Sequence, residues 1–168
     1  ALVLISHRHG DHTDGIDKLV DLTGATVRSV GSGFLRGLGG PLTDGEVIEA
    51  AGLRITVLAT PGHTADSVSF LLDDAVLTAD TVLGRGTTVI DDEDGSLRDY
   101  LESLRRLAGL GARTVLPGHG PDLPDIRDVA AMYLAHRQER LDQVRDALRE
   151  LGADAGARRI VEHVYTDV

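Results

Sequence analysis

The chain has 168 residues, 42% hydrophobic and 26% charged, the composition of an ordinary globular domain large enough to bury a core. Aromatics at 3% leave that core to Leu, Val, Ile and Ala, and the absence of cysteine excludes disulfides, thiolate metal sites and a cysteine nucleophile. A formal net charge of -10 argues against broad electrostatic binding of nucleic acid, which requires a basic face, and leaves a local basic channel open. No apolar run approaches the roughly 20 residues that span a bilayer and no signal-peptide pattern opens the chain, so a soluble, cytoplasmic protein with no membrane partner is expected.

In chain order, Leu2 to Ile5 reads as a short buried strand, followed by a polar loop and a helix from about Asp14 with Ile16, Leu19 and Val20 on one face. Thr26 to Val30 returns as a strand, and residues 31–41, with five glycines and a closing proline, read as a loop. Glu46 to Glu49 and Leu53 to Leu58 pair about a turn at Ala51-Gly52, and Ser67 to Leu72 pairs with Ala75 to Thr78 through Asp73-Asp74. Ser96 is placed to cap a helix with Leu97, Tyr100, Leu101, Leu104 and Leu107 on its apolar face, ended by Gly109 or Gly111. Thr114 to Leu116 forms a last strand. A long helix follows from about Pro124 to Leu151, then a linker at Gly152 to Gly156 and a basic amphipathic stretch from Arg158 to Tyr165. The only methionine is Met132 and the chain opens inside a strand, so sequence upstream of Ala1 is expected.

The chemistry lies where these strands end. The run S-H-R-H-G-D-H brings His7, His9, Asp11 and His12 within six residues, and imidazole and carboxylate are ligands for zinc and similar divalent ions. Alternate residues leaving a strand point the same way, so His7 and His9 can grip one ion while Asp11 and His12 face a second. Later strands deliver His63 on T-P-G-H-T, Asp80 on L-T-A-D-T and His119 on P-G-H-G-P, and ligands at strand ends on one edge of a layered fold converge on one cleft. The remaining histidines, His136 and His163, fall on predicted helices with no acidic or histidine partner at ligand spacing.

These motifs resemble those of the metallo-β-lactamase-fold superfamily: H-R-H-G-D-H at 7–12, T-P-G-H-T at 60–64, L-T-A-D-T at 77–81 and P-G-H-G-P at 117–121, with only its first, upstream motif lacking. The resemblance implies an α/β fold, an αββα sandwich of two sheets with helices outside, here without part of the N-terminal sheet. It divides the chain into a catalytic domain over 1–122, N-terminally incomplete, and a helical segment over 123–168. It further implies two Zn2+ ions, one held by His7, His9 and His63, the other by Asp11, His12 and His119, with Asp80 bridging. The absence of cysteine sets aside the lactamase subclasses with a cysteine ligand, and an Asp80 bridge resembles glyoxalase II and ribonuclease Z more than true lactamases. His9 and His12 stand where diiron flavoprotein reductases carry acidic residues.

A narrower resemblance covers T-P-G-H-T-A-D-S, G-R-G-T-T-V-I-D-D at 84–92, Y-L-E-S-L, P-G-H-G-P and Y-L-A-H-R at 133–137. It is to the lactamase-B-like protein 2 group, whose animal member is an endoribonuclease on single-stranded RNA and whose polyketide-pathway relatives are acyl-carrier thioesterases. That group ends in a small winged-helix-like domain, and I-V-E-H-V-Y-T-D-V resembles its beginning.

Paired zinc ions sharing a water lower its pKa to about 7, which makes a metal-bridging hydroxide the expected nucleophile. Asp11 and Asp80 are then the catalytic carboxylates, Asp11 orienting that hydroxide. The expected substrate is anionic, since two divalent ions outweigh two carboxylates and a hydroxide. Arg85, in G-R-G-T-T, is the candidate substrate contact; Arg8, inside the ligand run, reads equally as a solvent-facing side chain. The leading expectation is a dinuclear zinc phosphodiesterase on single-stranded RNA. The alternative is a thioesterase on acyl-carrier or glutathione-like thioesters, and the same residues admit a mononuclear iron dioxygenase or a non-catalytic binding protein.

Overall fold

The computed structural model describes residues 1–165. They form two compact units, one spanning Ala1–Ala131 and the other beginning at Met132. The first unit opens with β1 (Leu2–Leu4), which runs parallel to β2 (Thr26–Arg28) in a two-stranded sheet. The connection between them holds a single helical turn, α1 (Gly10–Thr13), and α2 (Ile16–Thr23), which ends where Gly24 takes up a left-handed φ of 63°. Ile5, Ile16 and Val27 form the small buried core between these elements, with Val3, Val20 and Phe34 packed against it.

The second sheet has five strands in the order β3 (Val47–Ala50), β4 (Leu53–Ala59), β5 (Val68–Leu71), β6 (Ala75–Ala79) and β7 (Thr114–Pro117). The first three pairings are antiparallel hairpins; the β3–β4 turn places both Ala51 and Gly52 at positive φ, 52° and 78°, the conformation whose twist suits a two-residue hairpin. β6 and β7 are parallel, which needs a crossover, supplied by α3 (Leu97–Ala108). The Ser96 hydroxyl caps α3 by accepting from the Asp99 N–H at 3.3 Å, and Tyr100, Leu104 and Leu107 on its inner face are fully buried. A further core joins Leu42, from the loop before β3, to Ile48, Val57, Val68 and Phe70 on β3, β4 and β5, with Leu4 against it. Leu53, Leu77 and Leu116 line a groove of about 340 Å³ whose wall also includes His12.

α4 (Ile126–Leu151) begins in the first unit and continues into the second, where it is followed by α5 (Ala157–Val164). Within the second unit the Arg140 guanidinium lies 5.0 Å from the centre of the Tyr165 ring, and His163 Nε2 is 3.2 Å from Glu150 Oε2. His163 thus has an acidic partner in Glu150 that spacing along one helix does not mark, because the turn after Leu151 folds α5 back beside α4. The stretch compared above with a winged-helix start is helical to Val164, and its last three residues, 166–168, lie outside those described. No helix among the described residues is long and apolar enough to cross a membrane.

Candidate metal centre

All four strand-end motifs meet at one place. His7 is 1% exposed, and its Nε2 lies 3.1 Å from His9 Nδ1, which in turn lies 3.0 Å from His63 Nε2. The outer nitrogens of these rings have partners of their own: Ser6 Oγ at 3.1 Å from His7 Nδ1, Asp91 Oδ2 at 2.7 Å from His9 Nε2, and Val89 O at 2.7 Å from His63 Nδ1. A carbonyl or carboxylate oxygen only accepts, so His63 donates from Nδ1 and His9 from Nε2, and their inward nitrogens, when the rings are neutral, carry lone pairs. Burial, with His12, His63 and His9 around it, pushes the His7 pKa down to about 3, which keeps the His7 ring neutral. Imidazole nitrogens this close, with lone pairs turned inward, suit a cation between them; ligands 2.0–2.1 Å from a tetrahedral zinc are themselves about 3.3 Å apart.

A second group stands beside the first. His119 Nε2 is 3.0 Å from Asp11 Oδ2, and His12 Nε2 is 3.5 Å from the same oxygen. Burial alone would raise the Asp11 carboxyl, but His12, its own backbone N–H and His119 outweigh that and hold it below the usual carboxylate range. Asp80 stands between the groups: Oδ1 is 3.4 Å from His12 Nε2, while Oδ2 is 3.8 Å from His63 Nε2 and 3.6 Å from His119 Nε2. His12 Nε2 and Asp80 Oδ1 are buried without a hydrogen-bond partner, a costly state for polar atoms and one a bound cation would relieve. Three sets of side chains have ligand atoms close enough to share an ion: His7, His9 and His63; His7, His12 and Asp80; and Asp11, His12 and His119. The residues thus fit divalent metal. Asp11 and His12 present their side chains from α1 rather than from an open loop, with His9 as the residue before its first turn.

The turns that carry these residues are held from beneath. Gly62, at φ 134°, turns the chain after Thr60-Pro61, and α3 docks there: Ser96 N–H donates to Gly62 O at 2.9 Å and Ser103 Oγ to Pro61 O at 2.7 Å. Buried hydroxyls tie this turn to the next, with Thr81 Oγ1 3.2 Å from Thr60 Oγ1 and Tyr100 OH donating to Thr81 O at 2.8 Å. Ala79 sits at φ 45°, in the left-handed region that disfavours a side chain, and so breaks β6 just before Asp80. Gly118 N–H donates to Ala79 O at 2.9 Å and Gly84 N–H to His119 O at 2.8 Å, fastening the His119 turn to the Asp80 turn.

A profile described as the Metallo-beta-lactamase superfamily matches residues 2–119, a span that holds all seven of these side chains. The chain belongs to the metallo-beta-lactamase superfamily. Members of this superfamily are generally metal-dependent hydrolases. Lactamase-like protein nscB of Trichophyton equinum is 34% identical over 148 residues, 87% of this chain and 44% of that protein. The Beta-lactamase-like protein 2 homolog of Caenorhabditis elegans is 33% identical over 175 residues, 98% of this chain and 57% of its own length. A metallo-beta-lactamase family protein from Thermus thermophilus has a crystal structure that superposes with a TM-score of 0.65 at 32% identity, covering 79% of this chain and 45% of that one. The chain spans about half the length of the curated relatives it matches.

Two arginines singled out in the sequence have different surroundings in this superfamily member. Arg85 is exposed, with its backbone against Gly120, one residue past His119. Arg8 is neither solvent-facing nor turned to the ligand atoms: it pairs with Asp91 at 2.8 Å and with Glu93 and Asp94 at 3.2 Å each. Asp91 is not among the site residues that the sequence marks, although it stands inside the segment G-R-G-T-T-V-I-D-D. Nothing in its spacing from His9, 82 positions away, marks it; only the folded loop brings the two together. That loop also carries Val89, which holds His63, and Thr88, whose hydroxyl donates to Asp80 O at 2.8 Å.

Proposed function

We propose that the chain carries the centre of a dinuclear zinc hydrolase, with His7, His9 and His63 holding one ion, Asp11, His12 and His119 the other, and Asp80 joining them. The observation that carries this reading is the position of Asp80, with one carboxylate oxygen beside His12 and the other between His63 and His119. Divalent zinc supplies Lewis acidity and lowers the pKa of water to about 7. The protein's own part is positional. His7 and His63 are buried and form the floor, while Asp11 and His119 are 56% and 54% exposed and form the open side. A substrate enters from that side, where Asp11, held by His119 and kept ionised, is the group placed to orient an attacking water. Asp80, fixed by the strained Ala79 turn, keeps the two halves in register.

For the substrate, we infer a phosphodiester in single-stranded RNA, supported by the lactamase-B-like protein 2 resemblance and by the match to the C. elegans homolog over nearly the whole chain. Arg85, exposed next to the His119 turn, is the residue we assign to contact it. A thioester substrate is the second reading, favoured by the acidic wall at the other side of the centre. There Asp91 and Asp92 line a cleft with His9 and His63, and the Arg8 guanidinium beside Asp91 is already paired. Zinc-loaded protein offered a fluorescent single-stranded RNA and an acyl thioester in parallel separates the two. Turnover of the thioester with RNA left intact ends the nuclease reading, and elemental analysis giving a single iron per chain ends the dinuclear zinc one.

A further inference from the structure

His9 turns Nδ1 toward His7 and His63 and gives its other ring nitrogen to Asp91 at 2.7 Å. With Nε2–H committed to a carboxylate, the lone pair of the neutral ring is on Nδ1, the nitrogen that faces the centre. Asp91 is itself restrained on both oxygens: Oδ2 also accepts from the Arg8 guanidinium at 2.8 Å, and Oδ1 accepts from the Glu93 N–H at 2.8 Å. Its side chain is 11% exposed, so this hydrogen bond is shielded from competing water. Arg8 lies between His7 and His9 in the chain and reaches back to Asp94 and Glu93, so the ligand run and the 91–94 loop are clasped together. His63 has a weaker counterpart in a neutral carbonyl, Val89 O.

We propose that Asp91 is a positioning residue for the first ligand group: it fixes the tautomer and ring plane of His9, and Arg8 holds Asp91 in place to do so. A carboxylate behind a ligating imidazole raises the basicity of the ligand and removes the freedom of the ring to turn away, and loss of such a partner costs about 10–100-fold in metal affinity. The proposal rests on the reading that the seven-residue cluster binds metal. It predicts an asymmetric effect, because Asp91 touches His9 and none of Asp11, His12 or His119.

The test is a competition titration of the metal-free 168-residue chain with zinc against a chromophoric chelator, for the wild type, D91N, D91A, D91E and R8A, with thermal unfolding of each metal-free protein alongside. The wild type takes up two equivalents. D91N weakens one of them about tenfold and D91A up to about a hundredfold, while the other equivalent holds within a few-fold and the metal-free midpoints stay close to wild type. D91E recovers part of the loss, and R8A loses affinity in the same equivalent to a smaller extent. Unchanged affinity in D91A, or equal weakening of both equivalents, overturns the positioning role while leaving the metal reading intact. A wild-type protein that takes up no divalent ion overturns the metal reading and the proposal with it.

Discussion

Gly118 has no side chain where Asp80 needs the space: a β-carbon there would lie 2.6 Å from Asp80 Oδ1 and 3.1 Å from His12 Cε1. The residue before His119 is thus small because the carboxylate between the two ligand groups occupies its β-position. Gly118→Ala pushes Asp80 away from His12, and zinc affinity measured by calorimetry falls on the order of tenfold or more, while thermal stability of the metal-free protein changes little. Full affinity in this variant contradicts the placement of Asp80 at the centre.

Gly62 is under a harder constraint, since a β-carbon would meet Tyr100 Cα at 2.3 Å, a backbone atom of α3 that cannot step aside, at a φ of 134° that L side chains rarely adopt. Gly62→Ala destabilises the first unit by more than about 4 kcal/mol. Urea unfolding, or failure of the variant to accumulate as folded protein, reads this out.

Arg28 and Glu46 form a two-pronged pair at 2.6 and 3.0 Å, and the same guanidinium donates to Gly40 O and Pro41 O, tying the end of β2 to the start of β3. The Arg28 hydrogen bond is the main cause holding the Glu46 carboxyl below its ordinary range. A depressed carboxylate pKa stabilises the fold above the unfolded-state value and loses that contribution as pH falls through the folded one. Stability therefore drops on acidification below about pH 4.5. Glu46→Gln costs about 1 kcal/mol at pH 7 and flattens that part of the acid profile, as urea midpoints taken across pH 3 to 7 will show.

Metal removal has a thermodynamic signature of its own. An ion present at a hundred times its Kd stabilises the folded state by about 2.7 kcal/mol, so a chelator lowers the thermal midpoint by about 5–10 °C for a chain of this size. In His63→Ala that difference shrinks, because one ligand group has lost a member. A midpoint indifferent to both zinc and chelator argues that the centre stays empty.

Much of this was legible in the chain itself, because it depends on local pattern. Strand ends followed by H-R-H-G-D-H, P-G-H and P-G-H-G announce ligands on tight turns, and the alternation of β4 to β6 and the 100, 104, 107 stripe of α3 announce the sheet and its covering helix. Spacing alone could not place Asp11 and His12 on a helical turn, because α1 is four residues long and is held by contacts such as the Thr13 hydroxyl donating to His9 O.

By itself, then, the sequence determined which side chains carry metal-ligating chemistry and that they stand at four separate strand ends, since residue type and turn-forming glycines and prolines are local properties. Tertiary structure alone decided which nitrogen of His9 faces inward, that Arg8 serves Asp91 rather than solvent, and that Gly118 must stay bare beside Asp80. Each is a contact between residues far apart in the chain, and no periodicity encodes it. It exists only once the ends of β1, β4, β6 and β7 have been packed against one another.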